Sequence, residues 1–179
     1  GILTNHELAG LSLVILAVIG ATDEYFYHFK KEKLLFKKEC IQENILHAAR
    51  TLIYSILFIL IPNYEFSGSY AIFVLGLLGL DLLVSILDII VEKKSRTPMG
   101  GLSTGEYLIH MTLSFHLGIL YWNFIPFVWS KIFENSYITE ITNKSLPHLS
   151  TLLGIISLMA LSYFFVQCYF IYNSRKIKH

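Results

Sequence analysis

Five long runs of apolar residues, separated by short polar segments, dominate the sequence. An α-helix rises about 1.5 Å per residue, so about 20 consecutive apolar residues can cross the hydrocarbon core of a bilayer. Each of the runs reaches that length. The pattern therefore predicts an all-α integral membrane bundle of five transmembrane helices, at about residues 7–29, 40–62, 69–92, 104–129 and 148–172.

Signals for helix starts support two of these helices. Thr4-x-x-Glu7 and Ser103-x-x-Glu106 match the capping box, in which a hydroxyl and a carboxylate satisfy free backbone amides at a helix N-terminus. The segments between the apolar runs are short and leave little chain for an aqueous domain. We therefore expect one transmembrane domain that spans residues 1–179.

Basic residues gather in alternate connections, which indicates the orientation of the helices. Short loops rich in Lys and Arg remain on the cytoplasmic side of a membrane. Two connections and the C-terminal tail are rich in this way, so the N-terminus is predicted outside and the C-terminus in the cytoplasm. The residues are Lys30, Lys31, Lys33, Lys37, Lys38, Lys93, Lys94, Arg96, Arg175, Lys176 and Lys178.

The composition agrees with a membrane protein. Hydrophobic residues make up 54% of the chain and charged residues only 15%, a balance that is unusual for a soluble domain. The net charge of +1 says little about partners, because the charges are unevenly distributed along the chain. We expect no nucleic-acid partner. Membrane lipid is the expected surrounding and partner, and the oligomeric state does not follow from the sequence.

Acidic and histidine residues interrupt the apolar runs near their predicted cytoplasmic ends. Ionisable side chains within a membrane are costly and usually face a protein interior, so they indicate a functional site. Several of them form pairs at a spacing of i,i+4, which places both side chains on one face of a helix. The pairs are Glu24–His28, Glu43–His47 and Glu106–His110.

These pairs share a depth with residues of the third helix. Converted at about 1.5 Å per residue, the central members lie within about 5–10 Å of the cytoplasmic boundary. Four antiparallel helices thus bring carboxylates and imidazoles into one layer. We expect a metal site there, with ligands drawn from Glu24, His28, Glu39, Glu43, His47, Asp88, Glu92, Glu106 and His110.

Three further polar residues are expected to support these ligands. Asp23 is adjacent to Glu24 but points about 100° away from it on a helix, so only one of the two is expected to bind the ion. Arg50 and Asp81 lie deeper, about 15 Å from the boundary. At that depth a buried ion pair is the expected arrangement.

Several candidates also have simpler explanations. Glu106 belongs to a capping box, and Glu39 and Glu92 lie beside lysines, where a solvated charge at the membrane surface would explain them. His116 lies on a different helix face from the paired histidine of its helix, so we expect it to be packed or hydrogen-bonded. His6, near the predicted outer end, is expected at the surface.

Mixed carboxylate and imidazole donors suit iron, manganese or zinc. They are more numerous than one four-coordinate zinc ion requires, which favours two divalent metal ions, iron before manganese or zinc. The ligand layer resembles that of the di-metal carboxylate helix bundles, the ferritin-like di-iron and di-manganese proteins. In that family the pairs are Glu-x-x-His at i,i+3, whereas here they are at i,i+4. The clustered histidine boxes of membrane desaturases and sterol hydroxylases are not found in the sequence.

The resemblance implies an enzyme, and the orientation and depth of the ligands put its site near the cytoplasmic face. The leading hypothesis is a di-iron oxidoreductase, either an oxygenase, a desaturase or an oxidase, with a lipid or other hydrophobic substrate and an electron donor. One alternative is a zinc-dependent hydrolase of lipid amides or esters, and another is a transporter or sensor of divalent metal. Haem ligated by two imidazoles is a further alternative, drawn from His28, His47 and His110.

Overall fold

The computed structural model describes residues 3–31 and 33–176, apart from the side chains of Lys30 and Lys31. Lys178 and both ends of the predicted domain therefore lie outside the described residues. Helix makes up 82% of the structure, and five helices are long and apolar enough to cross a membrane, as predicted. These are α1 (Asn5–Asp23), α2 (Ile41–Asn63), α3 (Ser69–Arg96), α4 (Thr104–Trp129) and α5 (Pro147–Lys176).

Two helix ends differ from expectation in ways that affect the site. α1 continues without a break as a π-helix over Glu24–Lys31. α3 runs through Arg96 instead of ending near residue 92, so Arg96 is a helical residue and not part of a loop. Single 3-10 turns complete the connections between the described helices, at Leu34–Phe36, Lys38–Cys40 and Thr97–Met99.

Both capping boxes are confirmed. The Thr4 hydroxyl accepts a hydrogen bond from the Glu7 amide at 3.2 Å, and the Glu7 carboxylate accepts one from the Thr4 amide at 2.9 Å. The Ser103 hydroxyl and the Glu106 carboxylate make the same reciprocal pair at the start of α4. Each box supplies acceptors to amides that lack a partner within the helix, which explains why α1 and α4 begin at these residues.

A short two-stranded ladder at one end of the bundle was not expected from the sequence. β1 (Tyr64–Phe66) pairs antiparallel with β2 (Ile138–Glu140). An ion pair beside it joins the Lys131 ammonium to the Glu65 carboxylate at 2.8 Å. The ladder links the turn between α2 and α3 to the connection between α4 and α5.

Packing between the helices produces one apolar core. α2 packs most closely against α5 and also against α3, while α1 packs most closely against α4. Fully buried apolar side chains fill the space between them, among them Leu13, Leu57, Ile61, Leu120 and Phe124. Many apolar side chains on the outer faces of α3, α4 and α5 are exposed, which a soluble protein of this size would avoid.

His6 is not the surface residue that its position suggested. It is only 6% exposed, and its Nδ1 atom lies 3.1 Å from the carbonyl oxygen of Ile61. Its ring meets that of Phe127 edge to face at a centroid distance of 4.9 Å. The imidazole therefore lies between α1, α2 and α4, inside the bundle.

Candidate metal centre

Four helices bring ionisable side chains together at the end of the bundle opposite the ladder. The key residue is His28, which lies in the π-helical extension of α1 and is only 1% exposed. Hydrogen bonds in a π-helix join residues five apart, so one wide turn separates Asp23 from His28. π-helical turns are rare and occur frequently at functional sites. Here the turn places His28 close to Asp23.

One group of candidate ligands forms around Asp23. The Nε2 atoms of His28 and His110 lie 3.5 and 3.3 Å from the same Asp23 oxygen, Oδ2. One ligand atom from each of these three residues lies within 4.8 Å of the others. α1 and α4 together therefore present two imidazoles and one carboxylate to a common point.

A second group lies on the other side of His28. The His47 Nδ1 atom is 2.6 Å from Glu24 Oε1, and its Nε2 atom is 3.0 Å from Asp88 Oδ2. The rings of His28 and His47 are 4.4 Å apart between centroids. Glu24, His28 and His47 also offer ligand atoms within 4.8 Å of one another. The two groups share His28, and we call them together the histidine lobe: Asp23, Glu24, His28, His47, Asp88 and His110.

Distances within the histidine lobe match those between ligands of one metal ion. Two ligand atoms bonded to an ion at about 2.1 Å lie about 3.0 Å apart at right angles and about 3.4 Å apart at the tetrahedral angle. The three distances from an Nε2 atom to a carboxylate oxygen are 3.0, 3.3 and 3.5 Å. These distances are compatible with a bound metal ion, although the His110–Asp23 contact at 3.3 Å is also a hydrogen bond.

Hydrogen bonding does not satisfy several atoms of the lobe. His28 Nε2, His47 Nε2, Asp23 Oδ1 and Asp88 Oδ1 are buried and have no hydrogen-bond partner among the described residues. The His47–Asp88 contact is short but lacks hydrogen-bond geometry. A buried polar atom without a partner costs about 1–3 kcal/mol. A bound cation would satisfy these atoms, so the lobe could hold a metal ion.

A second set of charges surrounds Arg96, whose side chain is almost completely buried. Its guanidinium Nη2 atom lies 2.9 Å from Glu43 Oε1, and Nη1 lies 3.1 Å from Glu106 Oε1. The Ser95 hydroxyl donates a further hydrogen bond to Glu43 Oε2 at 2.7 Å. We call Glu43, Arg96 and Glu106 the arginine lobe. Glu43 and Glu106 were expected to bind a metal ion, but in this lobe they contact a guanidinium.

Glu92 connects the two lobes. Its Oε2 atom is 3.8 Å from His110 Nδ1, and its Oε1 atom is 3.9 Å from Arg96 Nη2. Glu92 is only 5% exposed, so it is not the solvated surface charge that its neighbouring lysines suggested. Its carboxylate can serve as a ligand or as a counter-charge to Arg96.

The structure thus divides the expected ligands into three sets. Glu24, His28, His47, Asp88 and His110 belong to the histidine lobe, with Glu92 at its edge. Glu43 and Glu106 belong to the arginine lobe. Glu39 is exposed in the 3-10 turn Lys38–Cys40 and lies in neither lobe.

Two details of the expected arrangement differ. Asp23 was expected to support the ligands without binding the ion. It is 5% exposed and belongs to one of the two candidate ligand groups. The short contacts of His47 and His110 with acids join different helices rather than the i,i+4 pairs. Of the three expected pairs, only Glu24–His28 lies within one candidate ligand group of the described residues.

The deeper Arg50–Asp81 ion pair is confirmed. Arg50 Nε donates to Asp81 Oδ1 at 3.1 Å, and the Tyr54 hydroxyl donates to Asp81 Oδ2 at 2.9 Å. Asp81 is fully buried. His116 is hydrogen-bonded, as expected: its Nδ1 atom lies 2.9 Å from the Thr112 carbonyl oxygen.

α5 contributes a contact that the sequence did not suggest. The Tyr163 hydroxyl donates a hydrogen bond to Glu24 Oε2 at 2.8 Å. Gln167 lies one turn further along α5 and is fully buried. Tyr163 and Gln167 are spaced i,i+4, so they lie on one face of α5. This spacing was the signal in the sequence that could have identified the face of α5 that contacts the site.

Comparisons with protein-family models, with curated proteins and with solved structures found no match to this chain. The class of the protein therefore rests on its own geometry. It is a helical protein with five helices that could span a membrane and with a His/Asp/Glu cluster that could hold a metal ion.

Proposed function

We propose that the protein is an integral membrane metalloenzyme, a di-iron oxidoreductase that acts on a lipid or another hydrophobic substrate. One observation carries this proposal: imidazoles and carboxylates from four helices converge at metal-ligand distances, with buried atoms that no described residue satisfies. A protein interior retains such atoms at a cost, which a bound ion would remove.

Insertion in a membrane is part of the proposal. Exposed apolar side chains on the outer helix faces support it, for example Ile89 at 68%, Phe115 at 66% and Leu158 at 65% exposure. The distribution of lysines favours an outer N-terminus and a cytoplasmic C-terminus, which would put the metal centre near the cytoplasmic face. A reporter domain fused after Lys176 should accordingly remain in the cytoplasm, and its export would contradict the orientation.

The donor set of the histidine lobe supports two ions. Asp23, His28 and His110 would hold one ion, and Glu24, His28 and His47 would hold the other. His28 belongs to both groups, so its imidazole would lie between the two ions. Mixed imidazole and carboxylate ligands on four helices are also the donors of the di-iron helix bundles. Two iron ions in such a site supply oxygen activation or electron transfer.

Access to the lobe favours a substrate that approaches from its open side. The side chains of His110 and Glu24 are 28% and 21% exposed, whereas those of His28 and Asp23 are 2% and 7% exposed. Exposed apolar side chains lie within two residues of His110 on α4, namely Leu108 and Met111. A hydrophobic molecule from the inner leaflet would reach the site here, and a soluble electron donor would approach from the same end.

Elemental analysis of the purified protein tests the proposal. We expect about two iron ions per chain and a loss of most of this iron in His28→Ala, since His28 belongs to both candidate ligand groups. His116→Ala is the matched control, because His116 is a hydrogen-bonded histidine outside the lobe. Zinc without iron would instead favour the hydrolase. Full metal content in His28→Ala, or no metal in the wild type after loading, would contradict the site.

A further inference from the structure

The arginine lobe contains charges that the proposed chemistry does not use. Arg96 is 1% exposed and is the largest fully buried side chain of the described residues. Three carboxylates from three helices surround its guanidinium: Glu43 of α2, Glu92 of α3 and Glu106 of α4. All three carboxylates are at least nine-tenths buried.

Without the guanidinium, this arrangement would itself be a cation site. Three buried carboxylates that face one another repel, and a divalent cation is the usual means of holding them together. Glu92 Oε1 and Glu106 Oε1 make no hydrogen bond to any described residue although both face Arg96. The attraction of Arg96 to these two atoms is therefore mainly electrostatic, as it would be for an ion, whereas Glu43 accepts hydrogen bonds from the guanidinium.

We propose that Arg96 determines how many metal ions the centre holds. Its guanidinium is a permanent cation that occupies the space between Glu43, Glu92 and Glu106, and it prevents Glu43 and Glu106 from serving as metal ligands. The inference rests on the proposed metal centre, which it deepens by excluding Glu43 and Glu106 from the ligands. Arg96 is thus a positioning residue that acts through the carboxylates.

The bonding pattern of Arg96 supports a fixed role. Nη2 and Nε both approach the Glu43 carboxylate, at 2.9 and 3.3 Å, in a two-point contact, while Nη1 points to Glu106. The Ser95 hydroxyl holds the second oxygen of Glu43. Because the guanidinium is planar and charged, the three carboxylates can share it. Its contacts with them are shorter than those that Glu43 and Glu92 make with the histidine lobe in two of the three cases: Glu43 Oε1 lies 4.0 Å from His28 Nδ1, and Glu92 Oε2 lies 3.8 Å from His110 Nδ1.

Manganese binding tests this inference. Purified protein in detergent is loaded with Mn²⁺, desalted, and measured for bound manganese by elemental analysis and by the electron paramagnetic resonance of Mn²⁺. Glu43→Gln and Glu106→Gln should each bind as much Mn²⁺ as the wild type. Arg96→Ala should bind about one additional ion per chain, and the double variant Arg96→Ala/Glu43→Gln should lose that additional ion.

A purely structural role for Arg96 would not produce a gain of metal. Equal Mn²⁺ content in Arg96→Ala and the wild type would overturn the inference, as would the loss of an ion in Glu43→Gln or Glu106→Gln. If Arg96→Ala cannot be purified, the two glutamine variants decide the question alone. Absence of Mn²⁺ and iron from the wild type would refute the metal centre, and the gain in Arg96→Ala would still be tested separately.

Discussion

Both lobes contain carboxylates, but the counter-charges that face them differ. In the arginine lobe, Glu43 and Glu106 face a guanidinium that is always charged. In the histidine lobe, Asp23, Glu24 and Asp88 face imidazoles, which are weaker and conditional counter-charges and can also ligate metal. Whether buried acids form a structural ion network or a candidate metal site therefore depends on their counter-charge and not on the acids themselves.

Removal of the permanent charge should have the largest effect on stability. In metal-free buffer, Arg96→Ala should lower the free energy of unfolding by about 3–5 kcal/mol, because it leaves buried carboxylates without a counter-charge. His28→Ala should lower it less, since Asp23 keeps His110 as a partner. Denaturant unfolding in detergent measures both.

Lys94→Ala is the matched control for Arg96→Ala, because Lys94 lies on the same helix and is exposed. It should change the free energy of unfolding by less than about 0.5 kcal/mol. A loss for Arg96→Ala no greater than that for His28→Ala would remove the distinction between the lobes.

A smaller effect is expected where α5 contacts the histidine lobe. Tyr163→Phe deletes the hydroxyl that donates to Glu24, and it should weaken Mn²⁺ binding about 10-fold, because groups that orient metal ligands contribute 10–100-fold to affinity. Titration with Mn²⁺ measures the dissociation constant. Tyr172→Phe, on the exposed side of α5, is the control and should bind as the wild type does. Equal affinities in both variants would mean that Glu24 does not ligate the ion.

The smallest effect is expected at Glu39, which the sequence pattern includes among the ligands. Glu39→Ala removes an exposed carboxylate outside both lobes, so iron content and stability should stay within error of the wild type. Elemental analysis and thermal unfolding are the measurements. A loss of iron would show that the turn Lys38–Cys40 folds over the site when metal binds.

The sequence predicted which ionisable residues share a depth in the bundle, because each residue of a helix adds about 1.5 Å along its axis. Five helices and two capping boxes followed from apolar run length and from local hydrogen-bonding rules. The Arg50–Asp81 pair followed from the same conversion. These features depend on one helix at a time or on depth alone, which a single sequence contains.

Partners within the layer could not be predicted, because they depend on how each helix is rotated. The π-helical extension of α1 changes the direction of the side chains that follow Asp23, and nothing in the local sequence signals this change. Arg96 lies shortly after two lysines, which in the sequence indicates a charged residue of a cytoplasmic loop. In the structure, acids of two other helices surround its side chain. Tyr163 faces Glu24 because of how α5 is oriented about its own axis, which the sequence of α5 alone does not determine.

The ladder between β1 and β2 has a counterpart at the opposite end of the bundle. The ladder joins two connections, and Glu7 accepts a further hydrogen bond there from the Leu146 amide at 2.8 Å. At the end that carries the two lobes, α3 and α4 are joined through Gly100 and Gly101, whose φ angles are +86° and +85°. Hydrogen bonds close this turn, from the Gly100 amide to the Thr97 carbonyl oxygen at 3.2 Å and from the Gly101 amide to the Arg96 carbonyl oxygen at 2.9 Å. Only glycine adopts such angles without strain, so any other residue at these two positions would distort the turn that leads from Arg96 into α4.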